Sequence, residues 1–137
     1  MNLKEYISEA VSSGKHRINK GTITDKTNIN ELCEILEACG IRWIPKMTYD
    51  QTIDTDFITD IMKTWKNNYD CLDTPGFMTR CVIVTDRACF ILYWETDMKG
   101  RNGPTGGSYQ RLKNGHFERV TGVLEEALIE LNKELGI

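Results

Sequence analysis

Apolar residues recur every three or four positions in four stretches of the chain, and every second position in its C-terminal half. Leu3, Tyr6, Ile7, Ala10 and Val11 give a short amphipathic helix over residues 3–12. Ser12-Ser13-Gly14 ends it, and a polar, basic connector follows over residues 12–22. Ile29, Leu32, Cys33, Leu36 and Cys39 form the stripe of a second helix. Asn28 with Glu31 three residues on reads as a capping box, and Gly40 as its left-handed stop. Ile41–Ile44 reads as a short strand ended by Pro45. Ile53, Phe57, Ile58, Ile61, Met62 and Trp65 predict a third helix, begun by Thr52 or Asp54. Asn67–Asp70 and Asp73–Gly76 read as the loop after it.

From Met78 the period becomes two. Cys81–Val84 is one strand, and Asp86-Arg87 a turn. Ala88–Trp94, uncharged throughout, is a strand covered on both faces. Residues 97–107 form a glycine-rich loop. Tyr109–Leu112 and His116–Val120 flank Asn114-Gly115, a strong hairpin signal. Thr121 caps a last helix with Leu124, Ala127, Leu128, Leu131 and Leu135 inward and glutamates outward. The order predicts an α+β fold: a four- to five-stranded, mainly antiparallel sheet with a C-terminal meander, packed by about four helices. Residues 15–137 form one domain, and residues 1–14 an N-terminal helix outside it. Trp43, Trp65, Phe90, Tyr93 and Trp94 are assigned to the core.

Composition narrows the chemistry. At 137 residues the chain buries enough surface to fold without a metal or disulfide staple. A net charge of −3 argues against a duplex-DNA binder. No apolar run reaches the roughly 20 residues of a membrane span. Cys33, Cys39, Cys71, Cys81 and Cys89 have no C-x-x-C spacing and read as reduced thiols of a cytosolic protein. Cys33 and Cys39 lie about 120° apart around their helix and cannot pair there. Cys71, outside any apolar run, reads as the most reactive of the five. His16 and His116 are too few to complete a zinc site, so neither metal nor cofactor is expected.

Two surfaces are candidate sites. In the loop, Lys99, Arg101, Asn102, Thr105 and Ser108 offer charge, hydroxyls and glycine-freed N–H groups to an anion such as a nucleotide phosphate. The spacing is not that of a P-loop. The plainer reading is a long hairpin loop. On the hairpin, Tyr109, Arg111, His116 and Arg119 are placed together as a basic, aromatic face for a protein or for single-stranded nucleic acid, of which the protein is favoured; the plainer reading is an ordinary solvated strand pair. Asp54, Asp56 and Asp60 read as helix-dipole partners more than as a carboxylate site. No catalytic constellation emerges.

The segment Met1-Asn2-Leu3-Lys4-Glu5-Tyr6-Ile7-Ser8-Glu9-Ala10 resembles the capsid-targeting leader of internal head proteins of large contractile-tailed phages. The prohead protease of that group cuts after Glu in the pattern Ile or Leu, any residue, Glu, small residue. Ile7, Ser8, Glu9 and Ala10 match it position by position. The resemblance implies cleavage between Glu9 and Ala10, packaging in the virion, and delivery into the host cytoplasm. It also implies action by binding and inhibiting a host protein. It covers about ten of 137 residues, and the rest of the chain resembles no family. The alternative for this segment is a helix that docks on the domain. The expectation is a non-enzymatic protein-binding protein, monomer or homodimer. A small-molecule or nucleotide binder using the loop, or an immunity- or antitoxin-like partner, are the alternatives.

Overall fold

The structure, a computed structural model, describes residues 22–47, 60, 64–73 and 78–137. The expected helices at 3–12 and 53–65 fall wholly or largely outside these residues, as do Glu9, Ala10, His16, Asp54 and Asp56. The described elements run α1 (Ile29–Ala38), β1 (Arg42–Trp43), β2 (Asn68–Asp73), β3 (Met78–Val84), β4 (Ala88–Glu95), β5 (Gly106–Lys113), β6 (His116–Thr121) and α2 (Leu124–Leu135). The fold is α+β. Its six strands lie in sequence order; β1 pairs with β2 in parallel, and every other pair is antiparallel.

The sheet therefore has more strands than the four or five expected, and two helices are described where about four were expected. The extra strand is β2, whose Asn68-Tyr69-Asp70 reads as loop by composition. Asn67, at φ 59°, turns the chain in the left-handed region that asparagine tolerates. β2 then pairs with β3 over its full length. Asp70 is buried, yet its carboxylate is fully used. It accepts from Trp43 Nε1 at 3.1 Å, Lys46 N at 2.8 Å, Met47 N at 2.9 Å and Cys71 N at 2.9 Å. Four donors offset the cost of burying the charge, and they hold β1 and the chain after it against β2. Trp43 is accordingly not core: it is 57% exposed, with only its indole N–H drawn inward.

Both helices cover one face. Leu32, Ile35 and Leu36 of α1 and Ala127, Leu128 and Leu131 of α2 meet Cys81, Ile83, Phe90, Leu92, Trp94 and Tyr109 of the sheet. Trp94 has no exposed surface and donates Nε1–H to Thr27 O at 3.3 Å. The opposite face holds Val82, Val84, Cys89, Ile91 and Phe117 beneath Met47 and Trp65. Alternate residues of β3 and β4 thus serve two cores, which is why β4 reads as a continuous apolar run.

The α1 capping box forms as expected: Asn28 Oδ1 accepts from Glu31 N at 2.9 Å, and Glu31 Oε1 from Asn28 N at 3.2 Å. Gly40 is left-handed at φ 86°. Thr121 is not the N-cap of α2; Val123 is. Thr121 acts from two residues earlier, its hydroxyl accepting from Val123 N at 3.0 Å and donating to Glu126. Asn132 ties the chain before α1 to α2, accepting from Ile23 N at 3.0 Å and donating to Ile23 O at 2.9 Å.

Candidate functional site

The β5–β6 hairpin and the loop before it carry the candidate residues. The hairpin closes through Asn114 (φ 52°) and Gly115 (φ 83°), the left-handed pair that a type I′ turn requires. Lys113 and His116 flank this two-residue turn as partners. They form a hydrogen-bonded pair, so His116 and Glu118 direct their backbone groups toward β5. Phe117 and Arg119 direct theirs outward, to an edge that no described strand covers.

Register separates the four residues expected on one hairpin face. Tyr109 is buried under the helices and stacks on Phe90, with ring centroids 5.0 Å apart. Arg111 lies opposite Glu118 on the same side of the sheet, further toward the turn. Arg119 lies opposite Gln110, on the other side, because side chains alternate from His116 at the turn; the ladder shift comes after it and puts Thr121, not Val120, opposite Tyr109. His116 sits at the turn, 3.2 Å from Glu118. Tyr109 thus belongs to the core, while Arg111, His116 and Arg119 lie around β6 rather than tile one face. Alternation from the Asn114-Gly115 turn already separates His116 from Arg119; burial of Tyr109 under the helices is what the sequence could not reveal.

Glu118 also meets Lys113 at 3.8 Å. Arg111 and Arg119 make no ion pair among the described residues. The Arg119 guanidinium lies where a Cβ on residue 122 would stand, so Gly122 makes room for it along the edge. Val120 and Val123 are 58% and 53% exposed beside it. The edge therefore combines free backbone groups, unpaired positive charge and exposed apolar surface.

The glycine-rich loop is packed differently. Lys99 Nζ meets both oxygens of Asp73 at 2.7 Å, and its carbonyl accepts from Ile29 N at 3.0 Å. Burial works against the Asp73 charge, but hydrogen bonds from Lys99 and Thr79 outweigh it and hold the carboxyl below its usual range. The N–H groups of Arg101 and Asn102 both bind Met98 O, at 2.9 and 2.8 Å. Thr105 N binds Tyr93 O at 2.7 Å. Gly103 lies against the Asp25–Lys26 backbone, with no space for a Cβ. Ser108 belongs to β5 and is buried, accepting from Gln110 Nε2 at 2.8 Å. The loop thus braces the N-terminus of α1; Gly103 serves close backbone approach, and the lysine is already paired. Arg101 and Asn102 remain exposed.

The cysteines are free. Cys71 does not lie in a loop: it is on β2, directly opposite Cys81. Cys33 of α1 and Cys71 pack against the core that holds Tyr69 and Cys81. The bond to Cys71 and burial both push the Cys33 thiol up. For Cys71 the bond with Cys33 pulls down, but the bond with Cys81 and burial prevail and raise it. Burial raises Cys81 and Cys89. All four are poor nucleophiles at neutral pH, so Cys71 loses the reactivity assigned to it.

Among the described residues no group of three His, Cys, Asp or Glu side chains is arranged to hold a metal ion. No described helix is long and apolar enough to cross a membrane. No protein-family model, curated protein or solved structure matches the chain.

Proposed function

We propose that this chain is a protein-binding protein that captures an acidic, extended segment of its partner along the edge of β6. The observation that carries this is the edge itself. Phe117 and Arg119 present outward N–H and C=O groups, the template on which an added strand pairs. Arg111, Lys113 and Arg119 lie around it, with Glu118 near Lys113 and Glu126 bound to Thr121 at its far end, in a chain whose net charge is −3. Local charge opposite to the global charge favours an acidic partner and speeds its capture. Val120 supplies an apolar contact of the kind that central interface positions use. The phage-leader resemblance supports the same reading, with a host protein as the partner and the virion or host cytoplasm as the place.

A photoreactive amino acid at position 120, in the full chain within its native cells, tests the proposal. One discrete adduct with another protein is expected. Arg119→Pro removes an outward N–H without touching the β5 ladder and should abolish that adduct. An adduct unchanged by Arg119→Pro, or none from position 120, overturns the edge. An adduct of twice the chain's mass replaces the foreign partner with a β6–β6 homodimer. The phage origin is tested separately by the N-terminal sequence of the native protein: a start at Ala10 supports it, and a start at Met1 or Asn2 removes it.

A further inference from the structure

The register of β6 restricts its partner further than charge alone does. Phe117 and Arg119 carry the outward backbone groups, and their side chains alternate with that of Glu118 across the sheet. A residue added directly opposite a strand residue shares its face, with Cβ atoms about 4.5–5.5 Å apart. The position opposite Phe117 therefore continues the core that Phe117 shares with Val84, Cys89 and Ile91. The position opposite Arg119 meets a guanidinium that pairs with no described carboxylate and lies over Gly122, along the edge. Between them, the position opposite Glu118 meets a carboxylate, with Arg111 behind it on β5. Lys113, at 3.8 Å, and His116, at 3.2 Å, are already turned to that carboxylate, so the position opposite His116 carries no requirement. Past Arg119 the ladder shifts and skips Val120, and the Thr121 hydroxyl is bound to Glu126. Regular pairing is thus open from Phe117 to Arg119, with Glu118 before Arg119 and Glu126 after it.

We propose that the partner strand is read as a short pattern, acidic then uncharged then apolar from its N- to its C-terminus, paired antiparallel to β6 with its single acidic side chain opposite Arg119. This rests on the β6 edge being the binding surface, and it narrows what that edge accepts. Antiparallel pairing lets Phe117 and Arg119 each exchange both backbone bonds with the residue opposite, and it is the more stable arrangement per residue. Every neighbouring pair from β2 to β6 already uses it. An acidic run does not fit. Opposite Glu118 a second carboxylate faces like charge, and past Arg119 it nears Glu126. A basic residue opposite Arg119 fails for the same reason. Arg119 is therefore the residue that determines specificity, and Gly122 sets where its charge stands. A Cβ at position 122 would clash with the guanidinium, which is the flexible end of its side chain and would have to move off the edge.

Titration of the isotope-labelled full chain with end-blocked synthetic peptides tests this, read by NMR at the amides of Phe117 and Arg119. The reference peptide is Thr-Thr-Glu-Thr-Ile-Thr. Gln in place of Glu should weaken binding about two- to fivefold. Moving the acid beside the apolar residue, as Thr-Thr-Thr-Glu-Ile-Thr, should weaken it more, because attraction to Arg119 is lost and repulsion from Glu118 is gained. The reversed order, Thr-Ile-Thr-Glu-Thr-Thr, should bind no better than the Gln peptide. Both charge effects should shrink at high salt. Gly122→Ala keeps the backbone edge and moves the guanidinium, so it should erase the preference for Glu over Gln and still bind the Gln peptide as the unaltered chain does. Equal binding of the Glu and Gln peptides by the unaltered chain, or tighter binding of the moved-acid or reversed peptide, would overturn the pattern and leave the edge standing. Binding of none of the peptides, or shifts confined to residues outside β6, would overturn the pattern as well; the adduct from position 120 then decides separately whether the edge itself falls.

Discussion

The two edges of the sheet solve the same problem in opposite ways. At one edge β1 is two residues long, runs parallel to β2, and is followed by chain whose N–H groups are gathered onto Asp70. At the other, β6 is six residues long, and only Phe117 among them is buried. A sheet edge invites pairing with another chain, and short strands or local capping remove the invitation. The β1 edge is closed by its own sequence. Among the described residues the β6 edge is guarded by charge alone, which repels basic segments more than acidic ones. The contrast makes β6 the edge from which binding is expected.

The sharpest way to break this contrast is at Asp70. Asp70→Ala leaves four donors without their acceptor, each worth about 1–3 kcal/mol when buried and unpaired. Some of these recover water, so a net loss on the order of 4 kcal/mol is expected in urea unfolding. Asp70→Asn keeps one acceptor oxygen and should lose roughly half as much. A loss below about 1 kcal/mol for the alanine variant would show that the β1 edge is held by other contacts and that the two edges are less different than the structure indicates.

The matching experiment at the other edge is Phe117→Ala. Phe117 is 1% exposed and is the one buried anchor of β6. Removing it should cost about 3 kcal/mol by lost burial and cavity formation. Hydrogen exchange should rise first in the amides of His116 and Glu118, which point to β5, before those of β3 and β4. Equal acceleration across the sheet would mean that β6 does not open on its own, and would weaken its candidacy as a docking edge.

The two edges also differ in how far they were legible. The β5–β6 hairpin follows from Asn114-Gly115 and alternation, and α1 from Asn28, Glu31 and Gly40; these are local signals, each satisfied within a few residues. β2 was hidden because Asn68 and Asp70 have poor strand propensity, and their ladder partners, Arg42 on one side and Val84 and Val82 on the other, lie in other segments of the chain. Burial of Asp70 depends on donors from residues 43–47, a non-local fact that no window of sequence contains. The same holds for the candidate sites. Charge at the hairpin was visible, and alternation alone puts Arg119 on the other side from His116, but the bulge at Tyr109/Gln110 that brings Thr121 opposite Tyr109 was not visible. The glycines of the loop were visible, but not that Gly103 is needed against Asp25. Alternation placed Cys81 in a strand; only the register placed Cys71 beside it.

Asp73 sharpens the comparison at the smallest scale, because it shares β2 with Asp70 but lies near solvent. Its side chain and that of Lys99 are 44% and 36% exposed, so their 2.7 Å contact is screened and worth a fraction of a buried pair. The carboxyl is held below its ordinary value. A carboxylate with a lowered folded-state pKa adds stability that is present above its unfolded pKa, about 3.9, and is lost as pH falls through the folded value. Asp73→Asn should therefore cost no more than about 1 kcal/mol at pH 7, and less at high salt. Once pH falls below the folded-state value the variant and the parent should converge, since the parent carboxyl is then itself protonated. A difference that persists unchanged at low pH would assign the Asp73 contribution to its hydrogen bond with Thr79 instead of to its charge, and would make β2 a strand held at both ends by hydrogen-bond geometry.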